Sequence, residues 1–509
     1  MSDLSTFETP NSRFVDRAGL GGFPWLTAIA LYAISYGWFW NVRNSYWSDD
    51  WWSFYDPGVP EAWAQHGLAP WMIFNKWLYQ ITGPGFLRLI IFVVFFLAAI
   101  CFYGISKKIL YLTERLKKFA TLLFLLLPFN SARVTLMTLH YSTAYFYFFF
   151  AWYLIITFKS TWIKYIATCL FFLSFQMHSL PIFFALPILH LFSLEASRGW
   201  RQMFNWLRNN WFLVLASPTY FILRRIFWNA LPELKYQTIN SRQVWFLFGI
   251  LIFLSIGTLM IWVLGRFLTS ENRQSSRLIC CGALTIFLGL SPYIVGGYFN
   301  KPEGLPLLYL LYFLGRTREW ESRHLMLQPI GVTLLISGLF AFISVKFKKL
   351  QLTLQVFLIS LCVLVNVGFG LEHVIDYAKQ KVIVRDLQKV GYNGDLTDYV
   401  YIDKSAYLNA RGRRYDTELQ YLLKAAYGSK LDRSITVSLQ CRYSSDARVV
   451  VIDGEASYWN ALQSWFNRGN FGFSVEILDG PTPCTAELVE NRGRQNQIPL
   501  LLYFIDAEK

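Results

Sequence analysis

About eleven apolar blocks divide the first part of this chain, and most are too long to be ordinary core helices. A run of roughly 18 or more apolar residues is long enough to cross a bilayer, so every other feature has to be fitted around membrane spans. The blocks fall at residues 23–40, 86–105, 119–129, 139–158, 163–177, 180–194, 211–227, 244–264, 278–295, 327–345 and 350–370. The third and fifth are short enough to be re-entrant. Charged residues make up 16% of the chain, against about 25% in soluble proteins, while hydrophobic residues reach 54%.

The charges show which way the spans run. Lys107, Lys108, Arg115, Lys117 and Lys118 follow the second block, and Lys159 ends the fourth. Arg198, Arg201 and Arg208 follow the sixth, Arg266, Arg273 and Arg277 the eighth, and Lys346, Lys348 and Lys349 the tenth. With the N-terminus in the cytoplasm, all these clusters fall on the cytoplasmic side, as the positive-inside rule requires. The net charge of +15 is therefore explained by topology and not by a nucleic-acid partner. The polar first twenty residues offer no cleavable signal peptide, so the first block is expected to stay as a helix.

After Gly370 the charges become frequent, and short β-like runs occur at 399–403, 435–439, 449–452 and 500–505, with a helical stretch at 417–427. The expected architecture is an all-α polytopic membrane domain over residues 1–370. A soluble extracytoplasmic α/β domain is expected over 371–509, since an odd number of spans puts it outside. Cys441 and Cys484 lie in that second region and form a candidate disulfide; the other five cysteines sit in spans as small apolar residues. No Asn-x-Ser/Thr sequon occurs, which fits a bacterial inner membrane.

Two long loops face outward on this map. The first opens with WSDDWW, in which Asp49 and Asp50 directly follow a span inside a tryptophan cluster. A partly desolvated carboxylate there could act as a general base or hold a hard divalent cation; an interfacial tryptophan belt with two solvated acids is the plainer alternative. His66 follows, and then an aromatic stretch around Lys76 that suggests a helix lying in the interface, either lining a lipid entrance or anchoring passively. The second loop contains Glu303 and then Arg316, Arg318, Glu319, Glu321, Arg323 and His324. Arginine forks suit phosphate oxygens, though a structural ion-pair network would use the same residues. Arg133 is a further candidate phosphate ligand, and His140, Tyr141 and His178 sit at span ends where they could line an outward cavity. There is no P-loop, no His-Glu-x-x-His and no Gly-x-Ser-x-Gly, so soluble-nucleotide, zinc-protease and serine-hydrolase chemistry lack support.

The acidic pair after the first span, the interfacial helix, the multiple spans, the late basic stretch RTREWESRH and the outer C-terminal region together resemble the GT-C glycosyltransferases. The resemblance implies transfer of a sugar from a polyprenyl-phosphate donor to a cell-envelope glycan or lipid acceptor, with inversion at the anomeric carbon. It implies Asp49 or Asp50 as base. It also implies Arg316, Arg318 and Arg323, helped by Lys76, Arg133 or His324, around the lipid phosphate. Glu303, Glu319 and Glu321 join the histidines in the cavity. Some members use a divalent metal, which Asp49 and Asp50 would hold; no other cofactor is implied. No WWDYG signature is present, which argues against protein N-glycosylation. A lipid or polysaccharide flippase and an O-antigen polymerase or ligase are the competing functions. The first would place charges mid-span in repeated halves, and the second does not call for the acidic pair.

Overall fold

The computed structural model of the chain describes residues 22–47, 50, 69–108, 113–158, 160–177, 179–196, 200–227, 270–295, 325–344, 347–391, 398–403, 415–428, 436–438, 447–453 and 474–479. Within them the protein is mostly helical. Helix α1 (Trp25–Tyr36) runs into a 3-10 segment, Gly37–Val42. Helix α2 (Ala69–Ser106) contains the second apolar block, and α3 is Glu114–Leu126. Two 3-10 turns, Ser131–Val134 and Leu136–Thr138, lead into α4 (Leu139–Thr157). Helix α5 is Thr161–Ser174, and the sixth block forms a short α6 (Leu180–Phe183) and α7 (Ala185–Ala196). A separate α8 (Trp200–Asn209) precedes the seventh block, which is itself broken into α9 (Trp211–Val214) and α10 (Ala216–Phe227). The later helices are α11 (Ser270–Val295), α12 (Gln328–Ser344) and α13 (Lys348–Val390). The eighth block lies outside the described residues.

Two helical stretches are long and apolar enough to cross a membrane: Phe74–Ser106, in which an 18-residue window reaches a mean hydropathy of 2.7, and Lys349–Val390, in which such a window reaches 2.2. The other helices are shorter or less apolar, so the described residues do not display eleven spans. Large apolar side chains nevertheless point away from the protein on several helices, among them Leu26, Ile81, Trp162, Ile222, Phe357 and Leu364. Helix hydroxyls are satisfied internally: those of Thr121, Ser142, Thr168 and Thr285 each donate to the carbonyl four residues earlier. That arrangement lets a polar side chain sit in an apolar setting without an unmet hydrogen bond.

Two packing devices set the shape. Aromatic rings join α2, α3 and α4: Phe102 stacks on Phe124 at 4.4 Å, and Phe124 meets Phe149 edge-on at 5.2 Å. Helices α11 and α12 approach backbone to backbone through Gly282, Gly331 and Gly338; a Cβ on Gly331 would stand 2.7 Å from the amide nitrogen of Ile286. Helix α13 continues without a break through Gly370, where the last apolar block ends, and stops at Gly391, whose φ of +81° and ψ of 166° form a conformation nearly restricted to glycine.

Beyond α13 come β1 (Asp398–Asp403), α14 (Tyr415–Tyr427), β2 (Thr436–Ser438), β3 (Ala447–Asp453) and β4 (Ser474–Asp479). The sheet order is β2-β1-β3-β4, with parallel pairs except for antiparallel β3–β4, in which Val450 faces Ile477. Buried Arg448 ties this unit to the helices, its Nη1 donating to Gly391 O at 2.8 Å and Tyr427 Oη at 3.2 Å. The first three strands and α14 match the sequence expectation within two residues; β4 was not anticipated, and the run at 500–505 lies outside the described residues.

Candidate active site

The polar groups near the acidic motif gather where α1 ends. Its 3-10 extension turns the chain so that Trp38 packs against α13, its ring pressed on Gly370 and lying 4.6 Å from the His373 ring. Trp47, on the following segment, is fully buried and meets His373 edge-on at 5.0 Å. Gln380 donates to Tyr46 O at 2.8 Å, and the hydroxyls of Tyr46 and Tyr79 are 2.6 Å apart. The first loop is therefore pinned to both α13 and α2.

Asp50 stands at the centre of this joint. Its residue exposure is 0%, and both its oxygens are engaged: Oδ1 accepts from the Met137 amide at 2.9 Å and Oδ2 from the Trp47 amide at 3.3 Å. Arg88 pairs with Oδ2 at 3.6 Å, and neither side chain is exposed. The same guanidinium donates to Val134 O at 3.0 Å, to Val42 O at 3.3 Å, and to the carbonyls of Arg43 and Ser45. Its plane also lies over the Trp47 ring, 4.6 Å from the centroid. One arginine on α2 thus clamps the end of α1, the acidic loop and the turn before α4. Burial pushes the Asp50 carboxyl up to about 6, more than Arg88 and the backbone amides pull it down.

This geometry gives Asp50 an anchoring part. A carboxylate with no exposed surface and two committed oxygens cannot meet a substrate hydroxyl, yet it ties the Trp47 and Met137 backbone together. Asp49 lies outside the described residues, as do His66, His178, Glu303, Arg316, Arg318, Glu319, Glu321, Arg323 and His324, and likewise Cys441 and Cys484. Of the remaining expected site residues, Lys76 is half-buried on α2, seven residues before the Gly83 kink. His140 is buried at the start of α4 with its ring 3.9 Å from that of Tyr141, three residues from the Met137 amide that holds Asp50. Arg133 is buried against Tyr36 and lines two small cavities, one shared with Arg88 and one with Asn130.

Several residues of the joint were not among the expected ones. Arg88 lies inside an apolar block, where an ionisable residue is by default a structural or functional signal. Glu372, Asp376, Lys379 and Gln380 are all buried on α13 past Gly370. Their spacing, with Glu372, Asp376 and Lys379 at i, i+4 and i+7, marks one helical face that a continued helix would have exposed to view. Among the described residues, no three His, Cys, Asp or Glu side chains are grouped to hold a metal ion. Comparison with protein families, curated proteins and solved structures returns no match for this chain.

Proposed function

We propose that this chain is an integral-membrane inverting glycosyltransferase that moves a sugar from a polyprenyl-phosphate donor to a glycan or lipid acceptor outside the cytoplasm. The observation that carries the proposal is the Arg88–Asp50 joint. It commits a fully buried ion pair to holding Asp50 beside Trp47, the two described residues of WSDDWW, at the end of an apolar helix. Conformational rigidity of that kind is what a reacting group needs and a passive tryptophan belt does not.

In this scheme Asp49 is the base and Asp50 the anchor that aims it. Asp49 takes the proton from an acceptor hydroxyl. The freed oxygen bonds to the anomeric carbon from the face opposite the lipid, the carbon–oxygen bond to phosphate breaks, and polyprenyl phosphate leaves with the electron pair. Arg316, Arg318 and Arg323, with Lys76 and His324, are assigned to the leaving phosphate. His66, His140, Tyr141, His178, Glu303, Glu319 and Glu321 are assigned to the acceptor side. The N-terminus is assigned to the cytoplasm, and the sheet after α13 to the extracytoplasmic side, in a bacterial inner membrane. A divalent metal, if used, would bind at Asp49.

Purified protein tested against a panel of polyprenyl-phosphate sugars decides the matter. Asp49→Asn is expected to cut transfer by roughly 10²–10⁴-fold while leaving the unfolding midpoint in place. Asp50→Asn is expected to shift the midpoint as well as the rate. Full activity in Asp49→Asn would move the base elsewhere. Absence of transfer from every donor would remove the enzyme and leave the flippase.

A further inference from the structure

We propose that Arg133 and Asn130 form an enclosed binding site for one halide-sized anion, with chloride its occupant in ordinary salt. Arg133 is only 6% exposed. Its Nε donates to Asn130 O at 3.3 Å, and its Nη2 to Leu127 O at 3.4 Å and to the Tyr36 hydroxyl. Its guanidinium lies 3.6 Å from the Tyr36 ring centroid and 5.0 Å from that of Phe95. Every one of these partners is neutral. Arg88, by contrast, has Asp50 beside it; no carboxylate among the described residues pairs with Arg133.

A second observation points to a ligand. Asn130 is 3% exposed, and neither Nδ2 nor Oδ1 of its amide has a hydrogen-bond partner. Asn130 and Arg133 line one cavity, whose other walls include Phe95, Phe124, Leu127 and Tyr145. Among the described residues Nη1 of Arg133 donates to nothing, so two unused donors and an uncompensated cation share a mostly apolar chamber. An unpaired charge or amide removed from water is costly, and natural interiors rarely leave one so. Water alone meets few acceptors and donors there and brings no countercharge. An anion accepts from both donors and neutralises the guanidinium. The chamber has room for a particle of about water's size, which suits a halide and is too small for a lipid phosphate.

The test uses the full chain in detergent, with unfolding followed while sodium gluconate is replaced by sodium chloride at constant ionic strength. Wild type is expected to gain roughly 2–4 °C in midpoint, saturably, with chloride or bromide. Asn130→Asp supplies a carboxylate in place of the ion, so its midpoint is expected to ignore chloride while staying at or above the wild-type value in gluconate. Arg133→Met, if it folds, is expected to ignore chloride too. A wild-type midpoint indifferent to chloride overturns the site. So does an Asn130→Asp variant that keeps the full chloride response, since the ion then binds elsewhere. Stabilisation by inorganic phosphate but not by halide would also overturn it and assign a phosphate group to the chamber. None of these outcomes depends on sugar transfer.

Discussion

Taking Arg88 away would leave Asp50 as an unpaired buried charge and strip a donor from the carbonyls of Val42, Arg43, Ser45 and Val134. Arg88→Met is therefore expected to cost about 3–5 kcal/mol, read from denaturant or thermal unfolding in detergent. Arg88→Lys is expected to recover little of that loss, because a single ammonium cannot span carbonyls on three sides. Asp50 makes a prediction with a definite sign. Its carboxyl titrates near 6 in the fold and near 3.8 when free, so the folded state binds the proton more tightly. The stability it contributes is complete below about 3.8 and is lost as pH rises through about 6. Compared with Asp50→Asn, wild type should lose midpoint over that window and run parallel above it. A wild type that gains over the same window would mean that Arg88 outweighs burial.

Among the elements, α2 is a composite. Gly83 sits at φ +74°, ψ 174°, a conformation nearly restricted to glycine, and Pro84 follows it. The aromatic segment that carries Lys76 is thereby set at its own angle to the span. A Cβ at Gly83 would meet nothing within 4 Å, so Gly83→Ala isolates the backbone effect. It should destabilise by about 1–3 kcal/mol. A change below a few tenths would show that the kink is not needed. Gly331→Val tests a different cause. There the obstacle is the backbone of α11, which cannot give way as a flexible side chain does, so overpacking should cost at least about 1–3 kcal/mol and separate α12 from α11. Helix α13 is the longest of the described elements, and its buried polar face past Gly370 carries the last apolar stretch directly into the joint around Trp38 and Trp47.

On the scale of the whole molecule, two helices are long and apolar enough to cross a membrane, and outward Leu, Ile, Phe and Trp side chains are consistent with a lipid environment. The protein should remain with membranes after alkaline carbonate washing; release into the wash would refute that association. Helix positions were legible in the sequence because apolar runs and basic flanks are local features, and most of the described elements lie within a few residues of the expected ones. Block lengths were less legible. A break such as that between α9 and α10, or a continuation such as α13 past Gly370, depends on what the helix meets and not on its own hydropathy. The acidic motif could be found by its place after the first block, and Arg133 by its charge. The burial of Asp50 could not, since a carboxylate's surroundings are set only when the chain folds. The sequence by itself determined that this is an apolar helical protein with an acidic loop after its first helix and a β-containing C-terminal part. Only the tertiary structure decided that Arg88, from another helix, meets Asp50, and that Arg133 meets no carboxylate among the described residues. Partnership across tens of residues is set by packing, which no local pattern encodes.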